Sequence, residues 1–277
     1  MSQFTLTAHG ATFPALGLGT WQLTGEAGVA AVKTALDAGY RHLDTAAAYG
    51  NEVEVGQGLK ASGLKRDDVW VTTKVWWDKI DEGALQASAE ESLKKLGLDQ
   101  VDLLLIHWPN PDIPLARSIK ALNDARRRGL ARHIGVSNFT LPLLEQAVAL
   151  STEPLAVNQC EYHPRLDQSK LIAACRRHGM AFVAYTPLGR GGLTGHAPII
   201  DAAARHGVSE GQVILRWHMQ QGNGAIPRSS NAGRIAQNFD IWNFALSDAE
   251  MAAISGLAVP DGRVVSPAFA PKWDDLA

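Results

Sequence analysis

Cysteine is scarce in this chain: Cys160 and Cys175 are the only two among 277 residues. They form no CxxC pair and no HExxH occurs, so neither a disulfide framework nor a metal site is expected. Long hydrophobic runs are missing as well. The longest strongly apolar stretch, 101–106, falls far short of the ~20 residues a membrane span requires. The opening residues MSQFTLTAHG lack a basic segment followed by an apolar one, so no signal peptide is expected and the cytoplasm is the expected compartment. For the same reason the glycosylation tripeptide Asn138-Phe139-Thr140 reads as chance. An excess of one charge is absent too. Lysine and arginine number 26 against 28 acidic residues, a net charge of −2, which leaves no basic footprint for nucleic acid and no cationic face for a membrane. Finally, there is no Walker GxxxxGK and no complete GxGxxG. The nearest run, Gly17-Leu18-Gly19-Thr20-Trp21-Gln22, lacks the third glycine, which argues against a doubly wound dinucleotide-binding sheet.

What the chain does have is a regular alternation. Short apolar strands are predicted at 15–19, 41–43, 69–73, 101–106, 132–136, 156–159, 181–184 and 224–226, separated by amphipathic helical patterns. Eight such units match a closed (β/α)8 barrel of the TIM type, and a chain of this length suits one barrel. No linker or composition break divides the chain, so a single domain over 1–277 is expected. Ahead of the barrel, 3–13 alternates around His9-Gly10 and reads as a β-hairpin. After it, the tail from Gly262 to Ala277, with Pro267, Pro271 and Trp273, reads as an ordered loop. Asn51 to Glu54, Ser209 to Gln212 and Ser247 to Glu250 have the spacing of capping boxes. Arg126, Arg127 and Arg128 close a helix before Gly129, where the helix dipole favours cations.

Asp44, Tyr49, Lys74 and His107 stand just beyond predicted strands two to four. Strand ends of a barrel converge on one face, so these residues can meet there. Each alone has an ordinary structural explanation; their joint placement does not. Tyr49 can act as a general acid. A free phenol has a pKa of ~10, and an adjacent ammonium is expected to lower it. Lys74 can supply that charge, Asp44 can hold Lys74 protonated, and His107 can hydrogen-bond a substrate oxygen and stabilise developing negative charge. The residues alone leave two other readings open. One is a barrel aldolase or isomerase with Lys74 as Schiff-base nucleophile. The other is a non-catalytic nucleotide sensor.

The stretches GYRHLDTAAAYGNE, VTTKVW, VDLLLIHWP, RHIGVSNF, AVNQCEYHP, AYTPLGRG and IPRSS carry a resemblance to the aldo-keto reductase family, in order and over nearly the whole chain. Within that family the chain looks most like the short bacterial reductases of 2,5-diketo-D-gluconate and methylglyoxal, the tail GRVVSPAFAPKWDD included. The resemblance implies that Asp44, Tyr49, Lys74 and His107 form the catalytic tetrad. It also implies that NADPH (as NADP+ after reaction) lies across the barrel mouth and passes hydride to an aldehyde or ketone, and that the protein is a monomer.

By the same resemblance Thr20, Trp21 and Asp44 belong to the cofactor site, Ser137, Asn138 and Gln159 contact the nicotinamide carboxamide, and Tyr185 stacks on its ring. Thr186, Pro187, Leu188 and Gly189 run along the pyrophosphate. Pro227, Arg228, Ser229 and Ser230, then Arg234, Gln237 and Asn238, grip the 2′-phosphate and adenosine. A phosphate beyond strand eight, at a helix N-terminus, also suits the barrel architecture. Two positions depart from the family pattern: Arg228 replaces the usual lysine and Gln237 a frequent glutamate, which bears on NADPH over NADH. Trp21, Trp76, Trp108, Phe269 and Trp273, around His107, are expected to wall a substrate pocket, with Trp76 rather than adjacent Trp77 facing in. A short loop from Trp108 to Pro114 suits small or polar carbonyls.

Overall fold

The computed structural model describes residues 4–274. Gln3 of the expected hairpin and 275–277 of the expected tail loop lie outside the described residues, as does the start of the opening segment. The hairpin is formed by β1 (Thr5–Ala8) and β2 (Ala11–Pro14), antiparallel, with burial alternating along both strands. Its turn places His9 and Gly10 at φ +48° and +82°, a left-handed pair that a tight hairpin needs and that glycine adopts without strain.

The eight barrel strands are β3 (Leu18–Gly19), β4 (His42–Asp44), β5 (Trp70–Val75), β6 (Val101–Ile106), β7 (Ala131–Ser137), β8 (Leu155–Glu161), β9 (Ala181–Tyr185) and β10 (Gly224–Ala225), all parallel and paired in sequence order. Closure comes from residues just outside the first and last strands. Leu16 bridges Ala225, Gly17 donates to the Ala225 carbonyl at 2.9 Å, and Gly19 donates to that of Pro227 at 3.0 Å. The expected strands at 15–19 and 224–226 are therefore shorter as ladders but mark the seam. β5 and β6 are buried at every position, as expected of strands covered on both faces, and hence read as continuous apolar runs.

Helices follow the strands: α1 (Gly25–Asp37), α2 (Glu52–Ala61), α3 (Ala84–Leu96), α4 (Leu115–Arg127), α5 (Leu141–Leu150), α6 (Ser169–Arg177), α7 (Ala197–His206), α8 (Glu210–Gln220), α9 (Ala232–Phe239) and α10 (Asp248–Ser255). No helix among the described residues is long and apolar enough to cross a membrane. Ser209 and Ser247 cap α8 and α10 through complete capping boxes. Asn51 does not, which corrects the expectation. It is fully buried, and its amide donates to the carbonyls of Thr20 at 2.6 Å and Leu23 at 2.9 Å, carbonyls that burial would otherwise leave unpaired. Glu54 instead accepts from the backbone of Gly25 at 2.9 Å.

The hairpin covers the end of the barrel where the strands begin. Phe13 stacks on Trp70, 4.7 Å between ring centres, and meets His42 edge-on at 5.9 Å. The opposite end, where the strands finish, is left for the tail and the loops that follow each strand.

Candidate active site

Side chains alternate along a strand, so His42 and Asp44 share one face of β4, and Trp70, Thr72 and Lys74 one face of β5. They stack in polar layers. His42 Nε2 lies 3.3 Å from Thr72 Oγ1, and one layer nearer the strand ends Lys74 donates to Asp44 Oδ1 at 2.5 Å. Lys74 has no exposed surface and engages three acceptors: Asp44, the Thr45 carbonyl at 2.8 Å, and the Tyr49 hydroxyl at 3.4 Å. The second Asp44 oxygen accepts from Gln159 Nε2 at 2.6 Å. A buried ion pair is tolerated only when its remaining donors and acceptors are met in this way. Tyr49 ends a short 3-10 turn, Ala47–Tyr49, and His107 follows β6 directly. Their rings meet edge-on at 5.6 Å.

Burial works against the Lys74 cation, but the Asp44 charge, helped by Tyr49, outweighs it, and the ammonium pKa is held above its ordinary value. An amine held as the cation, with every N–H engaged by Asp44, Thr45 and Tyr49, lacks the free lone pair a Schiff base needs, which argues against that reading. For His107, burial and then the Lys74 charge push the pKa well below its usual 6.5, so the imidazole is neutral at neutral pH.

Tyr49 requires a correction. The sequence predicts a phenol acidified by Lys74; in the structure its pKa is raised. Burial pushes it up most, the Lys74 charge and hydrogen bond pull it down, and Asp44 pushes it up again. The reason is chiefly desolvation, which penalises the phenolate; the Lys74 charge opposes it, and the Asp44 carboxylate paired with Lys74 offsets part of that pull. Tyr49 is thus a neutral phenol with a cation in place to receive the phenolate.

These groups open into a cavity of about 610 Å³. Of the residues expected to hold the cofactor, Thr20, Trp21, Asp44, Asn138, Gln159 and Tyr185 line it, and Thr186, Pro187, Leu188, Pro227 and Arg228 extend it. Trp76, His107, Trp108 and Phe269 form its aromatic side. Other expected residues lie off the lining. Ser137 is buried behind Asn138, accepting from its amide at 3.1 Å, and Gly189 is buried below the loop. Ser229 is buried, accepting from the Asn231 N–H at 3.1 Å, while Ser230, Arg234 and Gln237 are exposed and Asn238 half-buried. Trp273 stands behind the wall, meeting Trp108 at 5.9 Å and bonding Ser266 at 3.0 Å. Trp77 stacks on the outer side of Phe269 at 5.0 Å and does not line the cavity.

Several partners differ from expectation. Gln159 is spent on Asp44. Tyr185 donates to Asn138 Oδ1 at 2.6 Å, and Asn138 Nδ2 donates to the His107 carbonyl at 2.9 Å, so one chain of bonds links three strand ends. Asn138 is 1% exposed, which rules out a sugar on it. Arg228 is exposed, with its guanidinium on the carbonyls of Trp21 at 3.2 Å and Gln22 at 3.4 Å. Arg190, not anticipated, lies over the Trp21 ring at 5.2 Å, and Val264 and Val265 of the tail also line the cavity. The stretches PLGRGG and GRVVSP contain these residues, but nothing in them says where a loop folds back.

A parallel barrel whose mouth buries an ammonium–carboxylate pair against a phenol and a neutral imidazole is the frame of a proton-transferring enzyme. The chain belongs to the aldo/keto reductase family, whose profile matches residues 15–258. It is 40% identical over 265 residues to the methylglyoxal reductase DkgB of Escherichia coli O157:H7, covering 94% of this chain and 99% of that protein. The crystal structure of an aldo/keto reductase from Brucella melitensis superposes with a TM-score of 0.89 at 40% identity, covering 93% of this chain and 98% of the other. That of the Bombyx mori aldo-keto reductase in complex with NADP superposes with a TM-score of 0.89 at 37% identity, covering 97% and 96%.

Proposed function

We propose that this protein uses NADPH to reduce small aldehydes and ketones, α-dicarbonyls and keto-sugars among them, to alcohols. One observation carries the reading: a cavity-facing phenol, kept neutral by burial, touches a fully buried ammonium at 3.4 Å. NADPH, when bound, supplies the hydride. The residues present fit it. The cavity runs from Tyr49 and His107, past the Tyr185 ring, along 186–188 to the exposed cation of Arg228 beside the N-terminus of α9. An aromatic face, a loop and a cation followed by a helix N-terminus match a ring, a pyrophosphate and a phosphate. Asn138 and Gln159 border the ring's place, Ser230, Arg234, Gln237 and the half-buried Asn238 present the outer surface for the nucleotide's far end, and the buried Ser229 braces the turn beneath them.

The neutral His107 donates a hydrogen bond to the substrate oxygen and orients it. As negative charge develops there, Tyr49 gives up its proton to form the alcohol. Lys74 stabilises the phenolate left behind, and Asp44, fixed by Gln159, keeps Lys74 charged and aimed. The aromatic side formed by Trp76, Trp108 and Phe269 excludes water, which strengthens each of these interactions. Similarity to a methylglyoxal reductase and to an NADP-bound reductase supports both halves of the reading.

The finer expectations follow the same reading: one domain spanning 1–277, acting as a monomer in the cytoplasm. Both cysteines are free thiols, buried and so protected, which suits a reducing compartment. A steady-state screen that follows NADPH absorbance against glyoxals, aromatic aldehydes and keto-sugars tests the function. Turnover with at least one class, faster with NADPH than NADH, is expected. Failure with all three classes would overturn the proposal.

A further inference from the structure

Glu161 takes no part in the chemistry above, yet it is a fully buried carboxylate at the end of β8, two positions beyond Gln159. Burying such a charge is costly unless its lone pairs find donors. Here the donors arrive from a hundred residues further along. Oε1 accepts the Val264 N–H at 2.6 Å and faces His163 Nε2 at 2.9 Å; Oε2 accepts the Val265 N–H at 2.8 Å, with Arg263 Nη1 at 3.8 Å. Two successive amides of a segment with no helix or strand of its own therefore end on one side chain. The segment reaches it by a close passage: a Cβ on Gly262 would sit 1.8 Å from the Arg165 carbonyl oxygen. Just past the anchored pair the tail covers the barrel mouth. Val264 and Val265 line the cavity themselves, and Phe269 meets both Trp76 and Trp108 edge-on at 5.5 Å.

We infer that Glu161 is a positioning residue for the carbonyl substrate: its carboxylate pins Val264 and Val265, and so builds the apolar wall against which the substrate packs. This rests on the carbonyl-reductase reading. The nucleotide side of the cavity belongs to other loops, 186–188 and 227–228, so the anchor acts on substrate and not on cofactor.

Glu161→Gln keeps the size but turns an NH2 toward one of the two amides, breaking one anchoring bond. Loss of a charge-assisted bond is expected to raise KM for a small aldehyde by about ten-fold or more. The kcat should change little, and NADPH affinity, read by fluorescence titration, should stay put. Amide exchange at Val264 and Val265 should speed up. Phe269→Ala should also raise KM, and adding Glu161→Gln to it should raise KM little further, because both act through one wall. Unaltered KM with unaltered exchange, or full additivity of the two variants, overturns the inference. If Glu161→Gln fails to fold, exchange in the unmodified protein decides: slow exchange at both amides supports the anchor, and exchange at the rate of an open loop overturns it. A protein that turns over no carbonyl would sink the activity while the exchange result still judged the anchor.

Discussion

At the scale of single residues, the phenol carries the chemistry. Tyr49→Phe keeps the ring and loses the proton, so turnover should fall by between about a hundred-fold and ten-thousand-fold while NADPH affinity stays nearly unchanged. Equal turnover in the mutant would remove Tyr49 from its role. The pKa directions also set a pH profile. A general acid works while protonated, and Tyr49 is held above the ordinary value of 10, so the rate of reduction should be lost only as pH rises beyond the ordinary tyrosine range. His107, neutral well below 6.5, should add no acid limb near pH 6 to 7. A decline of kcat/KM beginning near pH 8 would contradict this electrostatic account. Lys74→Met strands the buried Asp44 carboxylate, so it should cost about 3–5 kcal/mol of stability in urea unfolding as well as activity. The identities of the four groups were legible in the sequence, because strand ends carry them. The sign of the Tyr49 shift was not, because it depends first on how deeply the closed barrel buries the phenol and only then on how far Asp44 offsets Lys74.

Helices and strands were the most legible scale, since 3.6- and 2-residue periods and capping residues are local features. Ser247 shows this. Its backbone N–H and hydroxyl bond Glu250 at 2.7 and 2.8 Å, and His206 joins at 3.1 Å. Burial alone would raise the Glu250 pKa, but these partners outweigh it and lower it from 4.5 to about 2. A lowered carboxylate pKa adds stability that is complete above the ordinary value and is lost as pH falls through the folded one. Glu250→Gln should therefore destabilise by about 1 kcal/mol at pH 7, and the gap from the unmodified protein should close between pH 4.5 and about 2. A gap that persists at pH 2 would mean packing, not charge, is responsible. Asn51 has the same spacing and a different fate, because its neighbours in space are the carbonyls of another loop.

For the whole molecule, the decisive feature is the seam. Gly17 and Gly19 look like a fragment of a nucleotide loop, but they are small because neighbours crowd the seam, a side chain at Gly17 and the facing backbone at Gly19. A Cβ on Gly19 would lie 2.7 Å from the Ile226 carbonyl oxygen, and one on Gly17 2.8 Å from the His42 ring. Gly19→Ala should destabilise by about 1–3 kcal/mol in thermal unfolding, as overpacking does. One closed sheet with one surrounding layer should also unfold in a single transition, with fluorescence and circular dichroism coincident. Two separated transitions would break the proposal of a single domain.

The order of strands and helices, the hairpin ahead of them and the set of polar groups at the strand ends were determined by the sequence alone, because each is written in a short window of residues. Tertiary structure decided the rest: that Gln159 holds Asp44 across 115 positions, that Trp273 backs the wall, that the tail is tied to Glu161, and that Tyr49 is less acidic than a free phenol. Those outcomes depend on desolvation and on contacts between distant segments, quantities that exist only once the barrel has closed.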